Sequence, residues 1–370
     1  MKVAIAKRAR RRPRIVHMAL FTALLGTVSW AHAAKGDSAA GTTVISSTVP
    51  QNGDLNPYGV SVVPTTTGNL TAGHILVSNF NNSLNEQGTG TTIVDISPSG
   101  AFKVFASINA SALPGPCPGG VGLTTALVTL KTGWVIVGSL PTADGTSATA
   151  QAGCLLVVSS TGQVVETFSG SLINGPWDMT ALDQGQSATL FFTNVLNGTV
   201  AGGGNVVNQG TVVRMVLSIP QGGMPQIQSM TVIGSGFPET TNPAALVIGP
   251  TGVGLSGSTL YVADTLSNRI AAISNAVTRS SSAGTGTTLT TGGSLSGPLG
   301  LTVAQNGNIF TVNGNDGRLV VTTPGGMQFA KFLLDNTGSP PGNGALFGLA
   351  FGSAGLYYVD DSSNTLNLFQ

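Results

Sequence analysis

Three aspartates in this sequence, Asp178, Asp264 and Asp360, have the chemical type and placement that metal chemistry needs. Carboxylate oxygens are preferred ligands of hard divalent cations such as calcium, and a bound cation polarises substrates or activates water. Asp264 and Asp360 each follow an apolar run, whereas Asp178 lies beside a proline and a tryptophan. The three aspartates can share one ion only if the fold gathers them in one place.

Asp178 also occupies a position at which similar segments of the chain carry glycine. The aligned residues are Gly59, Gly120, Gly252, Gly300 and Gly348. Glycine at this position indicates strands that crowd too closely for a side chain. Neighbouring positions supply three aromatic residues, Tyr58, Trp177 and Phe347. Because a carboxylate among aromatic groups is typical of a ligand pocket, these three residues and Asp178 are predicted to bind a ligand. The alternative is that Asp178 accepts hydrogen bonds from its own turn.

Polar residues recur at the ends of short apolar runs, and they have two interpretations. The aligned positions are Asn79, Ser139, Asn194, Asp264, Asn313 and Asp360. Asn and Asp tolerate left-handed backbone and bond to their own turn amides, so these residues are typical of tight turns between strands. The alternative is that they line one mouth of a central channel.

The elements that position these residues are predicted to be the strands of a six-bladed β-propeller. Short β-branched and aromatic runs bounded by Gly, Asn, Asp and Pro recur six times, and no amphipathic helix pattern follows residue 33. Equivalent positions Pro250, Pro298 and Leu346 are 48 residues apart. Radial repetition of such all-β units leaves only short protected edges. The last unit ends on its third strand, so the segment Gly41 to Val49 is predicted to supply the outer strand that closes the ring.

Residues 249–273 resemble an NHL repeat, a module of many six-bladed propellers. The resemblance rests on GPTGV at 249–253, TLYVAD at 259–264 and NRI at 268–270. Propellers with similar repeats include the gluconolactonase and regucalcin family, which are calcium-dependent lactone hydrolases, and the streptogramin lyases. Resemblance to the former implies that Asn174 is a metal ligand beside Asp178, but Asn56 stands where that family has Glu. The lyases use a His base, and His74 is the one histidine beyond residue 33.

Residues 1–33 have the pattern of a signal peptide. A leader rich in Lys and Arg precedes an apolar stretch, Ile15 to Trp30, which is too short to span a bilayer, and Ala31-His32-Ala33 forms a cleavage pattern. The sequence therefore predicts an exported protein, periplasmic or extracellular, with one domain at 34–370 and no membrane span after cleavage. The leader holds seven of the 15 basic residues, leaving eight against 14 acidic ones. Such an acidic chain is not expected to bind nucleic acid.

The two cysteines, Cys117 and Cys154, are predicted to form a disulfide, because an exported chain with an even, small number of cysteines favours one. A metal site would need more ligands than these two.

Two functions remain open from the sequence. One is an exported binding or scaffold propeller that recognises a protein or small-molecule ligand around Trp177 and Asp178. The other is a metal-assisted hydrolase or lyase that uses Asn174, Asp178, Asp264 and Asp360 as oxygen ligands for a divalent cation such as calcium.

Overall fold

The computed structural model describes residues 41–370, and the fold class predicted from the sequence, an all-β six-bladed propeller, is confirmed. Within this range there are six antiparallel sheets and no α-helix; the two helical segments are single 3₁₀ turns at Ala110–Ala112 and Ser147–Thr149. No helix of the described range is long and apolar enough to cross a membrane. The predicted signal peptide, residues 1–33, lies outside the described residues.

Each blade runs from an inner strand at the axis to an outer strand at the rim. Blade 1 consists of β2 (Leu55–Val62), β3 (Ile75–Asn81), β4 (Thr92–Ile96) and β5 (Phe102–Ser107). Blade 2 consists of β6 (Leu123–Thr129), β7 (Val135–Ser139), β8 (Leu155–Val158) and β9 (Val164–Phe168). Blade 3 consists of β10 (Pro176–Asp183), β11 (Ser187–Asn194), β12 (Val207–Ser218), β13 (Gln226–Asn242) and the short β14 (Leu246–Ile248).

The remaining three blades follow the same order. Blade 4 consists of β15 (Pro250–Ser256), β16 (Thr259–Asp264), β17 (Arg269–Ile273) and β18 (Thr287–Thr291). Blade 5 consists of β19 (Pro298–Val303), β20 (Ile309–Asn313), β21 (Arg318–Thr322) and β22 (Gln328–Leu333). Blade 6 consists of β23 (Leu346–Gly352), β24 (Gly355–Asp360), β25 (Thr365–Phe369) and β1 (Thr42–Ser47), which comes from the other end of the described chain. Strand β1 pairs antiparallel with β25, from Thr42 opposite Phe369 to Ser47 opposite Thr365.

The inner strands contact one another in the closed order β2, β6, β10, β15, β19 and β23, and β23 returns to β2. Glycine makes this close approach possible at several points. A Cβ on Gly300 would lie 1.8 Å from the carbonyl oxygen of Phe347, and one on Gly348 would lie 2.1 Å from that of Tyr58. The glycine pattern in the sequence therefore reflects direct backbone contact between adjacent inner strands.

Blade 2 departs from the sequence alignment. The repeats align Gly120 with the inner-strand glycines, but strand β6 begins at Leu123, which pairs with Ser139. Gly120 instead lies in the preceding loop, at a φ of 95°, where a Cβ would meet nothing within 4 Å. The chain turns there before it reaches the axis, so this glycine serves a turn and not a close approach of strands.

The predicted disulfide is present and joins Cys117 to Cys154. It links the loop before β6 to the residue that precedes β8, so it crosses from the inner to the outer half of blade 2. Cys154 is fully buried in a cluster with Leu123 and Leu156. The bond therefore fixes the loop that precedes the inner strand of blade 2.

Candidate functional site

A cavity of about 370 Å³ occupies the axis of the propeller and is lined by all six inner strands. We call it the channel. One end of the channel is reached at Pro64, Lys131 and Phe351, which are exposed and lie at or just beyond the C-terminal ends of their inner strands. The backbone nitrogen of Lys131 donates to the carboxylate of Asp183, and its ammonium group donates to the carbonyl of Asp183 at 3.1 Å. This end forms the open mouth.

The other end of the channel is closed by aromatic side chains. The ring of Tyr58 stacks between those of Phe80 and Phe347, with centroids 4.5 and 3.9 Å away, and Trp177 lies 6.3 Å from Phe347. Residues 245–248 belong to the same cluster, and the indole nitrogen of Trp177 donates to the carbonyl of Val247 at 3.2 Å. We call this cluster the aromatic plug. The channel is therefore blind.

The structure places the three predicted ligand-binding aromatics, Tyr58, Trp177 and Phe347, inside this plug and not at an accessible face. They are at most 3% exposed. The void beside Tyr58 and Trp177 is about 10 Å³, roughly the minimum that one water molecule needs. The sequence alignment could not reveal this, because the covering segment 245–248 belongs to an extension of blade 3 that the other blades lack.

Asp178 is the one predicted ligand-binding residue that lines the channel, near its closed end. One carboxylate oxygen accepts from the backbone nitrogen of Met179 at 2.8 Å, and the other accepts from that of Val253 at 2.9 Å. The first bond is local, from the next residue of strand β10, and the second crosses from β10 to β15. Asp178 therefore bridges two blades where other blades use a glycine, and it also faces the cavity. Asp178 thus accepts hydrogen bonds from nearby backbone, as one interpretation of the sequence requires, and lines a cavity, as the other requires.

The charge of Asp178 has no counterion in the described structure, since no salt bridge reaches it. Burial raises the pKa of Asp178 to about 8, and the two backbone donors, Val253 and Met179, only partly oppose this. Hydroxyl groups of Ser61, Thr180 and Thr302 and apolar side chains such as Leu127 form the surrounding wall. The channel thus offers a single weakly ionised acid at the bottom of a mixed polar and apolar well.

The four predicted metal ligands do not form a cage. Asp264 is held by Arg269, whose Nε lies 2.8 Å from its carboxylate. Asn174 donates from its side-chain amide to the carbonyl of Leu196 at 3.0 Å. Asp360, the last residue of β24, accepts from the hydroxyl of Ser362 at 2.6 Å.

No three His, Cys, Asp or Glu side chains within residues 41–370 are grouped so that they could hold a metal ion. The two oxygens of Asp178 already accept backbone hydrogen bonds. A hard cation such as calcium needs six to eight oxygen ligands, which the residues around Asp178 do not supply. The residues present therefore do not fit a divalent cation.

The six polar residues at the ends of the second strands do align in space, as the repeats predict. Five of them pair with the first residue of their inner strand, for example Asp264 with Pro250. The sixth, Asn79, pairs with Pro57, the third residue of β2. All six are buried. Most of them bond to nearby loops: the amide of Asn313, for instance, donates to the carbonyl of Ser294. They act as turn and loop anchors, and none of them lines the channel.

The sequence does not predict that Lys131 and Asp183 lie at the mouth of the channel. Both lie at hairpins after inner strands, in positions that show no repeated residue type among the blades. The sequence also gives no indication of Glu239 in β13, which is fully buried with no hydrogen-bond partner for its carboxylate among the described residues, and this burial raises its pKa to about 8. The sequence of a long strand does not indicate which of its polar residues will be buried.

Elevated carboxyl pKa values predict that stability falls as the pH rises. Between the unfolded value near 4.5 and the folded value of about 8, the unfolded chain releases the proton of Glu239 while the folded chain keeps it. The resulting stabilisation is complete below about pH 4.5 and is lost as the pH rises through 8. We expect Glu239→Gln to raise the unfolding free energy by ~1–3 kcal/mol at pH 8.5. The same substitution should change it little at pH 4.5. Urea unfolding at pH 4.5 and pH 8.5 measures these changes in unfolding free energy. An equal effect of the substitution at the two pH values would contradict a raised pKa of Glu239 in the folded protein.

Comparisons with known proteins agree on the fold. No protein-family profile and no curated protein sequence matches the chain. Among solved structures, a gluconolactonase from Xanthomonas campestris is similar at a TM-score of 0.52 and 14% identity, over 85% of this chain and 86% of that one. A calcium-binding regucalcin from Agrobacterium tumefaciens has a TM-score of 0.52 and 14% identity, over 88% and 95%. A streptogramin B lyase has a TM-score of 0.51 and 12% identity, over 88% and 96%.

Proposed function

We propose that this protein is a binding module whose channel takes a small organic ammonium compound, with the charged nitrogen directed to Asp178 and the alkyl part along the apolar wall. The observation that carries the proposal is a buried carboxyl without a counterion at the bottom of a blind, accessible cavity. A group of this kind is most favourably completed by a ligand of opposite charge, because burial disfavours the isolated anion.

The size and lining of the channel suit this ligand class. Small-molecule pockets are typically a few hundred cubic ångströms, with apolar walls and a few placed polar groups. The wall combines Leu127, Met179 and Leu349 with the hydroxyls of Thr129 and Thr180. Among the channel-lining residues the one cationic side chain, Lys131, lies at the mouth, so repulsion near Asp178 is small.

Export of the protein forms part of the same proposal. A disulfide is stable in an oxidising compartment and rare in a reducing one, so the bond between Cys117 and Cys154 supports the predicted signal peptide. The ligand would then be met in the periplasm or outside the cell. Mass spectrometry of the N-terminus of protein recovered from a bacterial periplasm tests this, with cleavage after residue 33 as the expected result.

Calorimetric titration with n-butylamine tests the binding proposal, and 1-butanol serves as the uncharged analogue. We expect the amine to bind with a dissociation constant on the order of 1 mM at pH 9, and the alcohol not to bind. Because the ammonium group needs the ionised form of Asp178, the affinity should fall about tenfold for each pH unit below 8, which is close to 100-fold between pH 9 and pH 6. The amine itself stays charged over this range.

Two variants decide whether Asp178 is responsible. Asp178→Asn should abolish amine binding, whereas Asp144→Asn, which changes a fully exposed carboxylate, should not alter it. If Asp178→Asn is too unstable to measure, the pH dependence of the unmodified protein remains decisive. Equal binding of the amine at pH 6 and pH 9, or no binding of it at all, would refute the proposal.

A further inference from the structure

A second cavity, of about 450 Å³, lies between the turns of blades 2 and 3 on the face that carries the channel mouth. We call it the groove. It is bounded by the β6–β7 turn at Thr132 to Trp134 and the β10–β11 turn at Gly185 and Gln186, with the turns after β8 and β12 on its outer side. Lys131 and Asp183 of the mouth directly precede these two inner turns. The groove therefore begins beside the mouth and runs outward over the blade interface.

Trp134 supplies an aromatic surface in the groove. Its ring is half-buried and packs against the core cluster that contains Ile219, which fixes its position, while the rest of the residue lines the cavity. The indole nitrogen makes no hydrogen bond to any described residue. An indole ring that is fixed by packing and has an N–H group without an acceptor is suited to a ligand that has both an apolar face and hydrogen-bond acceptors.

Three uncharged polar side chains of the groove have no hydrogen-bond partner among the described residues. Gln186 and Gln221 are exposed, and neither side-chain amide bonds within residues 41–370; the same holds for the hydroxyl of Ser160. Each glutamine offers two donors and one acceptor. No charged side chain of residues 41–370 lines the groove. A ligand that satisfies these groups is itself uncharged and carries many hydroxyl groups.

Glycines keep the groove clear. Gly185 and Gly222 occupy left-handed turn positions, with φ values of 82° and 70°, and a Cβ on either one would meet nothing within 4 Å. The space above these two turns is therefore open.

We propose that the groove is a binding site for a neutral oligosaccharide, in which one sugar ring stacks on Trp134 and its hydroxyls bond to Gln186, Gln221 and Ser160. A pyranose ring has a flat face of C–H groups and a rim of hydroxyls, which matches an aromatic surface flanked by amide and hydroxyl groups. A proline-rich peptide is the competing ligand for an aromatic-lined groove, but such grooves present several aromatic side chains and this one presents one. The site is independent of the channel and of its ammonium ligand.

Titration with four neutral hexasaccharides, derived from cellulose, xylan, starch and chitin, tests this proposal. Calorimetry gives the affinity, and tryptophan emission of protein without residues 1–33, which include Trp30, reports the site. Of the other two tryptophans, Trp177 is buried in the aromatic plug and Trp134 is half-buried. At least one hexasaccharide is expected to bind, to shift the emission to shorter wavelength and to protect Trp134 from quenching by acrylamide. Binding should be independent of pH between 6 and 9, unlike that of the amine.

Variants of the groove locate the binding. Trp134→Ala should weaken binding at least tenfold, Trp134→Phe less because an aromatic face remains, and Gln186→Ala and Gln221→Ala about fivefold each. Gln163→Ala, which changes an exposed glutamine outside the groove, should leave the affinity unchanged. The glutamine variants keep the test valid if Trp134→Ala does not fold. The proposal is overturned if no hexasaccharide binds at 10 mM, or if the variants at Trp134, Gln186 and Gln221 bind normally. It is also overturned if decaproline binds the groove and the hexasaccharides do not.

Discussion

Alanine at position 300 is expected to destabilise the protein by about 3 kcal/mol or more. The added Cβ would lie 1.8 Å from the backbone oxygen of Phe347 on the next inner strand. A backbone atom cannot rotate away, so strands β19 and β23 must separate. Because the inner strands form a closed ring, this separation strains the neighbouring blades as well. Urea unfolding of Gly300→Ala at pH 7 measures the loss.

Gly325→Ala is the matched control for this experiment. Gly325 lies in an exposed turn after β21, at a φ that other residues adopt, and the nearest atom to an added Cβ is the hydroxyl oxygen of Thr323 at 3.8 Å. Its substitution should be neutral or slightly stabilising, since alanine restricts the unfolded chain. Equal effects of the two substitutions would mean that the inner strands are farther apart than described.

Loss of the disulfide is the second change with a large expected effect. The bond between Cys117 and Cys154 closes a segment of 37 residues, and a loop of this length corresponds to about 3–4 kcal/mol of stabilisation through restriction of the unfolded chain. We expect Cys117→Ser/Cys154→Ser to lower the unfolding free energy by at least that amount. Position 154 is fully buried, so the serine hydroxyl placed there adds to the loss.

Reduction of the unmodified protein provides the control for the serine side chains. A reducing agent breaks the same bond without adding hydroxyl groups, so its effect isolates the crosslink. Unfolding curves with and without reductant should differ by most of the loss seen in the double variant. A difference below about 1 kcal/mol would show that the crosslink contributes little and that the packing of blade 2 holds the loop without it.

The architecture was predictable because it rests on local repetition. The residues Pro250, Pro298 and Leu346 recur at a fixed interval and begin three inner strands in the structure. Glycine at positions 252, 300 and 348 indicated close strands, since a Cβ at each would meet backbone of the adjoining inner strand. The same logic misplaced Gly120, because the additional loop residues of blade 2 shift its strand to Leu123.

The site was less predictable because it depends on contacts between distant segments. Tyr58, Trp177 and Phe347 were correctly grouped by the alignment, yet their burial depends on residues 245–248, which no repeat pattern identifies as a cover. Asp178 stood out as the exception to the glycine pattern, but its bond to Val253 requires the position of the next blade. The groove around Trp134 arises between turns of two blades, and single-blade periodicity carries no information about it.

Reactivity of a thiol placed inside the channel tests most directly the central claim, an accessible blind channel with an acid near its closed end. The native cysteines within residues 41–370 are bonded to each other, so Thr180→Cys adds a unique free thiol to the wall. Cationic and anionic methanethiosulfonates should both label it, whereas the thiol of Ala263→Cys, at a fully buried position, should stay unlabelled. The rate ratio of cationic to anionic reagent should rise severalfold between pH 6 and pH 9, and Asp178→Asn should remove that rise. An unreactive thiol at position 180, or a ratio that does not depend on pH, would contradict this structure of the site.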